Sequence, residues 1–189
     1  MNTSPRGIGL AGSFAAGKDS LAHFLEETHA IKHISTSDIV REKAKEKYGS
    51  VERPILYKTA NELRDQHGSL VLGEMALQRY EDFQTDFPGG VCVSGFRAWG
   101  EAEVIKRCGG IIVFVDAPAE VRYQRTISRA RDGEMRSTFE EFLAREAKEN
   151  GGVNKDYSII GIKDRADIVL DNSGDIEQFL QQASEALSL

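Results

Sequence analysis

Cysteine is nearly missing from this chain, and so are a basic surplus and any long apolar run. Of its 189 residues only two are cysteines, Cys92 and Cys108, and neither stands at ligand spacing from the other or from the four scattered histidines. A Cys/His metal centre is therefore not expected. Cys92 lies inside an apolar run and reads as a buried free thiol, which suits a reducing cytoplasm. Acidic residues outnumber basic ones by 30 to 24, giving a net charge of −6. Such a chain is not expected to work by general attraction to nucleic acid polymers or to anionic membrane. No apolar stretch approaches bilayer length, the first residues carry no basic-then-apolar secretory pattern, and there are no repeats or low-complexity tracts; a soluble, cytoplasmic protein is expected. What is present, 40% hydrophobic and 29% charged residues, suffices for one domain over residues 1–189. Nothing in the sequence specifies an oligomeric state.

The segment Gly12-Ser13-Phe14-Ala15-Ala16-Gly17-Lys18-Asp19-Ser20 sits between the apolar run Ile8 to Leu10 and a helix-like stretch beginning at Leu21. Its spacing of Gly, four residues, Gly, Lys is that of a phosphate-binding loop. Glycine lets the backbone curl until successive N–H groups face one anion. The following helix adds the positive end of its dipole, and Lys18 can reach the transferable phosphate. Gly12, Ser13, Ala15, Ala16, Gly17, Lys18, Asp19 and Ser20 are thus the expected ATP-binding set. Directly after the lysine, where a hydroxyl usually holds Mg²⁺, stands Asp19; the hydroxyl comes one place later, at Ser20, the candidate metal ligand, directly or through water. Asp19 either supports such a water or turns to solvent.

Five short apolar runs read as strands: Gly7 to Leu10, Ile31 to Ile34, Val91 to Val93, Ile111 to Val115 and Ile168 to Leu170. Charged amphipathic stretches separate them, the pattern of a parallel sheet covered on both faces, in a three-layer α/β domain. Ligands of such sheets sit beyond the C-terminal strand ends. There the chain places the phosphate loop, then Ser35-Thr36-Ser37-Asp38, Ser94-Gly95-Phe96-Arg97, Asp116-Ala117-Pro118 and Asp171-Asn172. Ser37 or Asp38 can cap the helix that follows, one turn inside which lies Arg41. Arg122, Arg125 and Arg129 recur at helical intervals, so one face is cationic unless Glu120 and Glu134 pair with it.

Taken together, these motifs resemble the P-loop small-molecule kinases, above all adenylate-kinase-like nucleoside monophosphate kinases. The loop resembles that branch's Gly-Lys-x-Thr, and His33-Ile34-Ser35-Thr36-Ser37-Asp38-Ile39-Val40-Arg41 resembles its Ile-Ser-Thr-Gly-Asp-x-x-Arg segment, with Ser37 in place of glycine. Ser94-Gly95-Phe96-Arg97, followed by Glu101, Glu103 and Val104, is similar to Asp-Gly-Ile-Arg-x-x-x-Glu-Val-Glu of archaeal adenylate-kinase-like proteins and phage deoxynucleotide kinases, Ser94 replacing the strand-end aspartate. Ala166 to Asp175 resembles the last strand and turn of dephospho-CoA kinases.

The resemblance implies a P-loop NTPase fold with a five-stranded parallel sheet, an acceptor-binding insertion at about 36–85 and a small helical lid at about 126–150. It implies ATP with Mg²⁺, Thr36, Asp38, Arg41 and Arg97 at an acceptor monophosphate, Arg125 against the nucleotide base, and Arg129 against its phosphates. Asn172 would border the donor adenine, and Arg136 and Arg145 would be further lid arginines. Lys18, Arg97, Arg125 and Arg129 would carry catalysis. Asp116 is open as a substitute acid for Ser94 or as a turn residue. A dephospho-CoA kinase is the rival, with Asp38 as base for a hydroxyl acceptor. A nucleotide-dependent ATPase or switch is the alternative of another class, although Asn154-Lys155-Asp156-Tyr157 lacks the last aspartate of a guanine reader.

Overall fold

All five apolar runs become parallel strands of one sheet in the computed structural model, which describes residues 7–129, 138–150 and 158–189. They are β1 (Gly7–Gly12), β2 (Ile31–Ser35), β3 (Gly90–Ser94), β4 (Ile111–Asp116) and β5 (Ile168–Asp171). Each extends one or two residues past its apolar stretch, because backbone pairing rather than side-chain polarity decides where a strand stops. The order is β2-β3-β1-β4-β5, with Ile8 of β1 in register with Cys92 on one side and Ile111 on the other. The loop leaving β1 therefore opens at the middle of the sheet's C-terminal edge, where ligands of such sheets bind.

β1 divides its two faces by size. Ile8 and Leu10, both fully buried, pack with Leu21 and Leu25 of α1 (Lys18–His29) and with Phe179 and Ala183 of α9 (Ile176–Leu187). Each such side chain stabilises the fold by about 1.5–3 kcal/mol. The opposite face is nearly bare: a Cβ on Gly9 would stand 2.5 Å from Ile112 and 3.1 Å from Phe96. That absence of side chain lets Ala102 and Ile105 of α5 (Trp99–Arg107) and Ile162 of α8 (Ile159–Lys163) close on the sheet. Cys92 is buried as expected, and burial pushes its thiol up to about 12, which leaves it inert near neutral pH.

Between β2 and β3 the insertion consists of α2 (Thr36–Tyr48), α3 (Arg53–His67), α4 (Val71–Tyr80) and a 3₁₀ turn (Glu81–Phe83). α3 ends where Gly68 takes φ 91°. After β4 come α6 (Ala119–Arg129), whose last turn enters the span expected for the lid, and α7 (Phe139–Asn150), which lies within it. Among the described residues no helix is long and apolar enough to cross a membrane.

Candidate active site

Gly12 leaves β1 at φ 152°, and Gly17 turns the chain into α1 at φ 104°, so the helix starts at Lys18, three residues earlier than the sequence pattern suggests. A side chain at Gly12 would meet the Val115 carbonyl oxygen at 2.2 Å, and one at Gly17 the Asn172 amide nitrogen at 2.1 Å. Ala15, a non-glycine at φ 60°, completes the curl. Lys18 lies across its own loop, Nζ donating to the carbonyls of Gly12 at 2.9 Å and Ser13 at 2.8 Å.

The loop is held from beneath by residues far away in sequence. Asn172, 2% exposed, donates from Nδ2 to the Ala16 carbonyl at 2.8 Å, and its own N–H reaches the Asp116 carbonyl at 2.8 Å. Its carbonyl accepts from Arg125 Nη2 at 2.8 Å. Asn172 therefore supports the loop, and Arg125 is engaged with Asn172 and is not on the cleft wall. Asp116 is more than a turn residue: it accepts from Ser13 Oγ at 3.1 Å, the Ala117 N–H at 2.9 Å and Lys163 Nζ at 2.6 Å. Burial works to raise its pKa, but the bonds from Lys163, Ala117 and Ser13 hold it below the ordinary carboxylate value.

Two of the three arginines expected to form a cationic face on α6, Arg122 and Arg125, are engaged by protein groups. Arg122, 5% exposed, donates through Nη2 to Glu146 Oε2 of α7 at 2.9 Å, through Nε to the Ala117 carbonyl at 2.8 Å, and through Nη1 to the Phe14 carbonyl at 3.2 Å. A buried guanidinium needs a carboxylate, and Glu146 supplies it; Glu134 lies outside the described residues. The side chains of Arg129 and Arg136 lie outside the described residues. Arg145 of α7 does line the cleft, next to Phe142, whose ring centroid is 6.3 Å from that of Phe14.

In front of the loop lies a cleft of about 790 Å³, whose wall carries Lys18, Asp19, Ser37, Asp38, Arg41, Ser94 and Arg97. Six expected residues are off this wall: Ser13 and Ala16 of the loop, Arg125 and Asn172 beneath it, and Thr36 and Ser20. Thr36 is 1% exposed, packed beneath Gly95, where a Cβ would meet its hydroxyl at 2.7 Å, and Ser37 takes the cleft position. Ser20, the expected metal ligand, is likewise absent from the wall, while Asp19 is on it: one residue of helix rotates a side chain by a little over a quarter turn. Neither Ser37 nor Asp38 caps α2. The N-cap is Ser35 without a side-chain bond, and Asp38 pairs with Arg41.

At the end of β3, Ser94 Oγ lies 2.8 Å from His33 Nε2. Burial lowers the pKa of His33, opposed by Glu26, Asp19 and Asp38. The sequence gives no sign of that pair, because His33 and Ser94 are 61 residues apart and meet only through β2–β3 register. Glu101 was equally hidden as a contact: 0% exposed, it accepts at Oε1 from Arg64 Nε (2.9 Å) and Nη2 (2.6 Å), and at Oε2 from the Arg97 N–H (2.9 Å). Among the described residues no group of three or more His, Cys, Asp or Glu is placed to hold a metal ion.

A parallel five-stranded sheet with a phosphate loop at its centre and helices on both faces is the P-loop kinase fold. TT1252 from Thermus thermophilus superposes with a TM-score of 0.62 at 20% identity, covering 97% of this chain and 96% of that one. Shikimate kinase from Bacteroides thetaiotaomicron superposes with a TM-score of 0.56 at 16% identity, covering 97% and 98%. No protein-family model matches the chain. The UPF0200 protein of Hyperthermus butylicus is 30% identical over 180 residues, 95% of this chain and 91% of that protein, and the chain belongs to the UPF0200 family. It is also 25% identical over 183 residues to the UPF0200/UPF0201 protein of Archaeoglobus fulgidus, of whose length it spans 54%.

Proposed function

We propose that this protein transfers the terminal phosphoryl group of ATP, brought with Mg²⁺, to a nucleoside or deoxynucleoside monophosphate. The observation that carries the reading is the sharing of one cleft by Lys18 and the phosphate loop on one side and by Arg41 and Arg97 on the other. Phosphoryl transfer asks for two phosphates held in line and their charge neutralised, with little covalent help. The loop amides and Lys18 hold the donor, and the planar forks of Arg41 and Arg97 suit the oxygens of an acceptor phosphate. An acceptor phosphate oxygen bonds to the transferred phosphorus as the bond to the bridging oxygen breaks, and ADP leaves. A monophosphate oxygen is already an anion, so no general base is needed. Arg145 and Phe142, on the cleft wall from α7, stand where they would help exclude water.

The donors on the wall fit a hard, partly hydrated cation: the Asp19 carboxylate beside Lys18, and the Ser94 hydroxyl at the end of β3. Mg²⁺ bound there would neutralise phosphate charge. A hydroxyl acceptor is the second reading, favoured by the Asp38 carboxylate on the cleft wall as a base; shikimate kinase, a protein of the same fold, is named for a hydroxyl-bearing acceptor. Against it stands the ion pair that Asp38 already makes with Arg41.

The test is ADP release from MgATP against a panel of ribo- and deoxynucleoside monophosphates, dephospho-CoA and shikimate, with a no-acceptor control. Release that depends on a monophosphate is the expected result. Release only with a hydroxyl acceptor would move the chemistry to Asp38, and release indifferent to every acceptor would make the protein an ATPase or switch.

A further inference from the structure

The ion pair Arg64–Glu101 is hard to explain as stabilisation. Glu101 is fully buried, and the Arg64 side chain is 12% exposed. Taking two charges out of water often costs more than their attraction returns, and apolar replacements of such pairs are frequently as stable. A cap for α5 would need only a Glu or Gln at that position reaching back to the backbone; it would not need an arginine from α3, 37 residues earlier.

The surroundings of Arg97 supply the reason. Gly95, at φ 89°, is packed against Thr36 and Ser37, where a Cβ would lie 2.7 Å and 2.9 Å from their hydroxyls. Phe96 is 4% exposed and Ala98 2%. The Arg97 N–H is held by Glu101 Oε2, and the Glu101 N–H returns to the Ala98 carbonyl at 3.2 Å. Within this otherwise covered turn Arg97 is the exposed residue, and it stands on the cleft wall. Glu101 fixes where the guanidinium starts from, and Arg64 keeps Glu101 from swinging away while tying that point to α3.

We propose that Glu101, locked by Arg64, is a positioning residue that aims Arg97 at the acceptor phosphate and couples that aim to the acceptor-side helix α3. This rests on the reading of Arg97 as an acceptor clamp, and the test separates the two. In ¹⁵N-labelled full-length protein, the Arg97 Nε–H is followed for its order parameter and titrated with inorganic phosphate as the probe, in wild type, Arg64→Met and Glu101→Gln; binding of MgATP is measured in parallel. The expected result is that both variants stay folded, that the Arg97 side chain falls below an order parameter of about 0.6, and that the phosphate midpoint rises roughly tenfold or more, the scale of one charge-assisted hydrogen bond. MgATP affinity should stay within about twofold of wild type. Unchanged Arg97 order in both variants, or equal losses for phosphate and MgATP, would overturn the positioning role. If Arg64→Met, which leaves the Glu101 carboxylate buried without its partner, does not fold, Glu101→Gln alone decides; if Glu101→Gln does not fold, Arg64→Met alone decides, since it leaves the bond from the Arg97 N–H in place. A wild-type Arg97 that is ordered but insensitive to phosphate and to monophosphates would sink the acceptor-clamp reading and leave the order comparison to judge Glu101.

Discussion

The two sides of the cleft are built on different principles. On the donor side, contacts reach across the chain: Ser13 to Asp116 is a separation of 103 residues, and Asn172 to Ala16 one of 156. Asn172 and Ala16 are buried and Ser13 and Asp116 half-buried, so their hydrogen bonds are costly to break. On the acceptor side, Arg97 is anchored through buried Glu101, but Arg41 pairs with Asp38 only three residues away, and both of those side chains are more than half exposed. Such a pair contributes about 0–1 kcal/mol, so Arg41 can be re-aimed at little cost. The difference suits the ligands of the proposed transfer. A triphosphate presents one unvarying geometry that a rigid cradle can be built around, whereas an acceptor has to enter, be recognised and leave.

The comparison breaks most completely at Gly12. An added Cβ there would lie 2.2 Å from the Val115 carbonyl oxygen, a backbone atom of the neighbouring central strand, and φ 152° is strained for any side chain. Gly12→Ala should therefore cost more than about 4 kcal/mol, the range reached when backbone strain and overpacking combine. Little soluble folded protein is expected, read by circular dichroism and thermal melting. A Gly12→Ala protein with near-native melting and ATP affinity would show that the donor side is far softer than its hydrogen bonds imply.

The next largest effect separates the two sides functionally. Arg97→Ala removes an exposed guanidinium from the cleft wall without touching the loop, so transfer should fall by about 10²–10³. ATP binding, measured by calorimetry, should hold within about twofold. A parallel loss of ATP binding would place Arg97 on the donor phosphates and erase the distinction between the two sides.

How much of this was legible in the sequence follows the same division. The phosphate loop could be read because its requirements are local: glycine where φ is positive, a lysine after the second glycine, a helix to follow. β1, β3 and β4 could be read because both faces are covered, which makes their runs continuously apolar; β2, with Lys32 and His33 inside it, and β5, with Val169 exposed, gave weaker signals. The roles of Arg122 and Arg125 could not. Helical spacing places them on one face, but Glu146 and Asn172, which receive them, arrive from α7 and from the end of β5 through tertiary packing. Ser20 and Thr36 were misplaced for a subtler reason. A motif gives position along the chain, whereas the cleft selects by direction around the helix, and it selects Asp19 and Ser37 instead.

The smallest expected effect is a pH dependence seated at the junction of the two sides. His33 faces Ser94 of β3, Glu26 and Asp19 of α1 and Asp38 of α2, with Lys32 beside it on its own strand. Burial, which the three carboxylates oppose, lowers its pKa below the ordinary 6.5. Folded His33 thus takes up a proton less readily than unfolded His33. Below pH 6.5 the unfolded chain binds the extra proton, so this contribution is fully present above that value and is lost as the pH falls toward the lower folded one. His33→Gln keeps a hydrogen-bonding group near Ser94 but cannot titrate. Melting temperatures taken from about pH 8 to about pH 5 should converge, the wild type declining more steeply than the variant on the acid side. Carboxylates away from His33, such as Asp116 and Asp167, also held low, lose their share at lower pH in both proteins and cancel in the comparison. Parallel curves would mean that His33 is solvated enough to titrate alike in both states, and the Ser94–His33 contact would then be no barrier between the acceptor side and water.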